Sequence, residues 1–298
     1  MGHVGRQGVE TQRRLGAQQV GADDGAGLFQ TTIRGNRRCS AAVAYLRPAL
    51  NRTNLTVITG AQVLRVVFEG RRAVGVEYAL GNSVTIARAE AEVIVTSGAI
   101  GSPKLLMLSG VGPAAHLQQH GITVVEDLPG VGQNLQDHFG IDIVAELKGH
   151  DSLDKYNKPL WAAWAGLQYF LFNTGPVTSN VVEGGAFWWA DRAEAQPDLQ
   201  FFMVVGAGIE EGVEAVPGGN GCTINLGQIR PRSRGEVRLN SADPADAPRV
   251  IPNYFGDPHD LEAITDGTIF AMEVMEQPAI RRYIAARQLP EVGPLTRD

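Results

Sequence analysis

Cysteine is nearly absent from this chain. Only Cys39 and Cys222 occur in 298 residues, too few for a disulfide framework, and their spacing offers no metal site. That usage fits a reducing compartment, and the expected location is cytoplasmic. Basic runs are missing too. No run of Lys or Arg exceeds two residues and the net charge is −6, which argues against a nucleic-acid or anionic-membrane surface. Long apolar runs are also lacking. The longest, from Leu160 to Phe172, is too short to span a bilayer and too aromatic for a signal peptide. The opening MGHVGRQGVETQRR has no apolar core of the signal-peptide kind. No GxGxxG occurs anywhere. Gly2-His3-Val4-Gly5 has the wrong spacing and no strand before it.

What is present reads as a turn-rich α/β protein. The length suits two domains, and the 36 glycines and 16 prolines gather at turns instead of forming a low-complexity tract. Residues 1–30 read as a short helix followed by loop. Residues 40–50 read as a helix, with Ser40 as N-cap and Pro48 at its end. Val- and Ile-rich segments at 55–58, 62–68, 74–78 and 84–86 predict strands, with turn chemistry at 69–72 and at Gly81-Asn82. The run EVIVT at 92–96 ends in Ser97-Gly98 and predicts a buried parallel strand. Short helices are expected at 102–109 and 113–120, with Pro103 and Pro113 in their first turns. Beyond residue 140 the pattern becomes an aromatic helix at 159–173, β segments at 199–205, 223–229 and 236–239, and a helix at 258–276. Turns and irregular loops separate these strands, so antiparallel pairing is expected.

Residues 98–112, GAIGSPKLLMLSGVG, resemble the second sequence signature of the glucose–methanol–choline (GMC) oxidoreductase family. A strand end followed by Gly98-Ala99 would let backbone approach a bulky ligand closely, and the helix start would offer free N–H groups. Other segments resemble the family in the same order: 27–46, 52–66, 69–78, DLPGVGQNLQDH at 127–138, RPRSRGEVRL at 230–239 and APRVIPNY at 247–254. Within the family the likeness leans towards choline-dehydrogenase-like alcohol dehydrogenases.

The resemblance implies an α/β fold of α+β-like construction. A partial FAD-binding doubly wound domain would occupy 1–140, and a largely antiparallel-sheet substrate domain 141–250. Residues 251–298 would be a C-terminal helical part of the substrate domain or a return towards the FAD domain. FAD is the implied cofactor. Val63 matches the family valine at the adenine edge, and Gly98 and Ala99 match the small residues passing the adenosine. For the substrate, Glu183 in SNVVEGGAFWW is the implied pocket residue, because choline-like relatives use a Glu in this region for a cationic head group. Trp188 and Trp189 could add cation–π surface. Phe202 stands where choline-type relatives often carry His, which weakens choline itself as the substrate.

The family's pyrophosphate-binding glycine motif and its catalytic His segment have no match here. The implied reading is a piece of an FAD-dependent oxidoreductase acting on the CH–OH groups of a small alcohol, with no catalytic residue, no metal and an unknown electron acceptor. Such a piece is expected neither to hold FAD firmly nor to oxidise alcohols alone. The alternatives are a hydroxynitrile lyase of the same family, or an inactive truncated product. His138, beside Asp137, is expected to be a hydrogen-bonded loop histidine before a catalytic one. His116 and His120, four apart, lack Asp, Glu or Cys at ligand spacing and read as a surface pair.

Overall fold

A computed structural model describes residues 25–149, 151–207, 216 and 218–290. The strands used below are β1 (Gly25–Leu28), β2 (Ala61–Glu69), β3 (Arg72–Leu80), β4 (Ser83–Arg88), β5 (Gly140–Leu147), β6 (Val182–Trp188), β7 (Leu199–Val204), β8 (Gly221–Gln228) and β9 (Ile284–Leu289). The helices are α1 (Gly98–Leu108), α2 (Pro159–Phe172) and α3 (Pro258–Glu276). The class is α/β, with helices set beside mostly antiparallel sheets.

The chain divides into two compact units built from interleaved segments. One takes residues 1–50, 138–231 and 258–298, the other 51–137 and 232–257. Consecutive blocks divided near 140 and 250 were expected. Strand pairing produces the difference: β1 pairs with β6, and residues 235–238 pair with 133–135.

The first unit is organised by a six-stranded sheet in the order β1-β6-β7-β8-β5-β9, antiparallel throughout. Alternation explains its two faces. Leu199 and Phe201 of β7, Ile224 and Leu226 of β8, and Ile143 of β5 are buried. Helix α3 covers this side with Ala263, Ile264, Gly267, Ala271 and Met275, which recur at three- and four-residue spacing. Gly267 lets the helix sit close, since a Cβ there would stand 2.9 Å from both Leu199 and Leu226. Phe270 stacks on Trp188 at 5.1 Å. The intervening residues of the same strands form the other face.

The second unit contains a meander, β2-β3-β4, joined by tight turns in which Gly70 and Gly81 both have φ of 59°. Helix α1 packs on β2, and buried Ser109 ties the two together. Its hydroxyl accepts the Val66 N–H at 2.8 Å and donates to the Leu105 carbonyl at 2.6 Å. Met107, Leu117 and Leu239 form a small buried cluster beside it.

Several sequence expectations need correction. The parallel strand expected at 92–96 is not formed: the segment joins no sheet among the described residues, and Ile94 is 74% exposed. A strand needs a hydrogen-bonding neighbour, and no described strand runs beside it. For the same reason 55–58 forms no strand. Residues 25–28, expected as loop, form β1 because β6 offers its edge. Helix α1 begins at Gly98, four residues earlier than expected, and so encloses Pro103. Pro48 does not end its helix, which runs on to Ala49. The short helix expected before residue 25 lies outside the described residues.

Candidate functional site

The open face of the six-stranded sheet carries a cavity of about 290 Å³, wholly within the first unit. Register builds its floor. One row across three strands is Phe202, Asn225 and Asp142; the next is Gln200, Gly227 and Gly140. These side chains share a face because each strand contributes residues two apart. The two glycines keep one row low, so the polar and aromatic residues of the other stand beside a depression. His138 and Ile229 complete the lining.

Each wall residue has a defined setting. The Asn225 Nδ2 group donates to Asp142 Oδ1 at 2.8 Å, which fixes both side chains. The Phe29 ring lies 5.4 Å from that of Phe202, and the Phe29 N–H donates to the Glu183 carbonyl. Gly185 is required beneath that ring. A Cβ there would collide with Phe29 and with the Phe201 carbonyl oxygen.

Glu183 is exposed, at an irregularity in β6, and is not among the residues lining the cavity. Its carboxylate accepts from the Ser179 hydroxyl at 2.7 Å. Trp188 and Trp189 already face a cation of this chain, with the Arg192 guanidinium 4.3 and 4.8 Å from their ring centres. Phe202, noted as a departure from choline-type relatives, does line the cavity. Asp142, Asn225 and Gln200 were missed. The sequence did carry their signal, as polar residues alternating with apolar ones in GIDIVA, LQFF and TINLG. Without the register nothing assigned them to one face.

In the second unit Val63 is half-buried on β2, while Gly98 and Ala99 are exposed at the start of α1. Gly98 has φ of 80° with open space where a Cβ would stand, so the backbone there is accessible and glycine is the residue that suits it. Asp137 accepts a hydrogen bond from the Tyr254 hydroxyl, and this raises the phenol pKa, with burial adding to the effect. His116 serves structure. Its Nε2 accepts the Leu239 backbone N–H at 3.1 Å and its ring meets His120 edge-on at 4.8 Å. Burial first, then the neighbouring His120 and Arg238 charges, pushes the His116 pKa down. Among the described residues no group of three or more His, Cys, Asp or Glu could hold a metal ion, and no helix is long and apolar enough to cross a membrane.

Two family models, both described as GMC oxidoreductase, match residues 5–140 and 231–297. The chain belongs to the GMC oxidoreductase family. It is 38% identical over 279 residues to an oxygen-dependent choline dehydrogenase of Brucella ovis, covering 92% of this chain and 50% of that protein. It is 34% identical over 287 residues to an alcohol dehydrogenase [acceptor] of Pseudomonas putida, covering 95% and 52%. A solved formate oxidase of Aspergillus oryzae, studied for FAD modification, superposes with a TM-score of 0.83 at 26% identity, covering 91% and 52%. The chain spans about half the length of the curated relatives it matches.

Proposed function

We propose that this chain supplies the substrate-binding sheet, and part of the flavin-binding region, of an FAD-dependent oxidoreductase acting on the CH–OH group of a small alcohol. The observation that carries the reading is the cavity on the sheet's open face, floored by glycines and walled by Asp142, Asn225, Gln200 and Phe202. Small-ligand sites combine apolar walls with a few fixed polar groups, and a small alcohol needs no more. The names of the GMC relatives, choline and alcohol dehydrogenases, support the substrate class.

The residues present fit FAD where they can be tested. Accessible backbone at Gly98, the small side chain of Ala99 and half-buried Val63 suit a flat, bulky ligand lying along strand and turn. These three would hold its adenosine portion. Bound FAD would accept hydride from the carbinol carbon. The chain's own contribution is binding: the Gln200 and Asn225 amides orient a hydroxyl, and Phe202 with Phe29 behind it excludes water from one side. We read the compartment as cytoplasmic, on the two free thiols, Cys222 buried and Cys39 half-buried.

The test uses the gene product isolated with whatever sequence the gene adds on either side. The expected result is flavin absorbance in the visible and alcohol-dependent reduction of an artificial acceptor, with flavin content falling in Gly98→Val. A flavin-loaded protein that no small alcohol reduces would overturn the reading.

A further inference from the structure

The half-buried Asp142 carboxylate stands in the cavity wall without an ion-pair partner among the described residues. Its one side-chain hydrogen bond among the described residues, from Asn225 Nδ2 to Oδ1, fixes its orientation and leaves acceptor capacity on the other oxygen. The remaining charged or titratable side chain of the lining is His138.

We infer that Asp142 determines specificity in this cavity, selecting alcohols that carry a protonated, N–H-bearing amino group. The inference rests on the reading that this cavity takes the alcohol. Three features favour an N–H-bearing cation over a quaternary one. A quaternary ammonium has no hydrogen to donate and is held best by several aromatic faces; here the lining holds one phenyl ring, Phe202, beside the His138 imidazole. Asp142 and Gln200 instead offer oxygen acceptors that an ammonium with N–H groups can use, and hydrogen bonds to charged groups are the stronger kind. Size agrees as well. The row from Phe202 to Asp142 crosses two strand spacings, roughly 10 Å, which suits a short chain with its ammonium at Asp142 and its carbons towards Phe202. Glu183, the carboxylate that sequence pointed to, lies outside the lining and is engaged by Ser179.

Ligand-observed NMR titration of the gene product, prepared as above, tests this at pH 7, using 3-amino-1-propanol hydrochloride, choline chloride and 1-butanol as probes. The amino alcohol is expected to bind at least about tenfold more tightly than either other probe. Asp142→Asn keeps an oxygen for the Asn225 bond while removing the charge and turning the second oxygen into an N–H donor. It is expected to abolish that preference, a loss of about 10- to 100-fold. Asp142→Ser serves the same purpose should the Asn variant misfold, and Asp142→Glu is expected to retain part of the preference. Choline or butanol binding as tightly as the amino alcohol, an unchanged preference in both uncharged variants, or no binding of any probe would overturn the inference. Because binding is read without turnover, inactivity towards alcohols in the flavin assay would remove the functional reading while leaving this result separately decided.

Discussion

Asp154 receives the backbone N–H of Gly221 on Oδ2 at 2.7 Å and that of Ala207 on Oδ1 at 2.9 Å. The Ser152 hydroxyl donates to the same carboxylate at 2.9 Å. One buried side chain therefore satisfies two backbone donors that lie 53 and 67 residues further along the chain. Asp154→Ala would strand both N–H groups away from water. The expected cost is about 2–4 kcal/mol, read as a lower urea midpoint with little change in slope. An unaltered midpoint would show that water replaces the carboxylate freely.

Cys222 lies beside this group on β8. Burial first, and the Asp154 charge second, push its thiol pKa up to about 11. Thiolate is the reactive form, so Cys222 is expected to resist a disulfide reagent at pH 8 in the folded protein and to react once denatured. Half-buried Cys39 is the internal comparison, and mass spectrometry of the labelled peptides separates the two.

His116 gives a pH dependence of defined sign. Its pKa in the folded protein is depressed, so protons bind preferentially to the unfolded chain. Its contribution to stability is fully present above the unfolded value, near 6.5, and is lost as pH falls from there through the depressed folded value. His116→Gln retains an acceptor for Leu239 but does not titrate. The melting temperature of the variant is expected to fall less than that of the parent between pH 7.5 and 5, as scanning calorimetry would show. Parallel curves would contradict the assignment.

Ser109→Ala tests the junction between α1 and β2. It removes the acceptor for the buried Val66 N–H, at an expected cost of about 1–3 kcal/mol. Ser109→Thr is expected to recover part of the loss, and amide exchange at Val66 reports the bond directly.

How much of this was legible beforehand depended on whether the signal was local. The helix at 258–276 matches α3, and the meander's turns fell where Gly70 and Gly81 take positive φ. Both patterns are complete within a short window. The run at 92–96 misled because apolar β-branched residues report strand preference, while strand formation needs a neighbour that the window does not contain. The cavity was legible only in fragments. Phe202 drew attention as an unusual residue, but Asp142 and Asn225 acquire meaning only through a pairing of residues 83 positions apart. Glu183 drew attention through its apolar surroundings, and those surroundings are filled by contacts of the chain with itself.

The pairing of β1 with β6 has a consequence for synthesis on the ribosome. Gly25 aligns with Phe187, so the first strand emerges long before the edge it joins. At about 5–20 residues per second the wait is roughly 8–30 s, against microseconds for a local hairpin to form. During that interval the nascent segment lacks the strand it pairs with among the described residues. Three of its four residues, Gly25, Ala26 and Gly27, carry almost no apolar side-chain surface, so Leu28 alone gives wrong associations something apolar to grip while the rest of the sheet is being made.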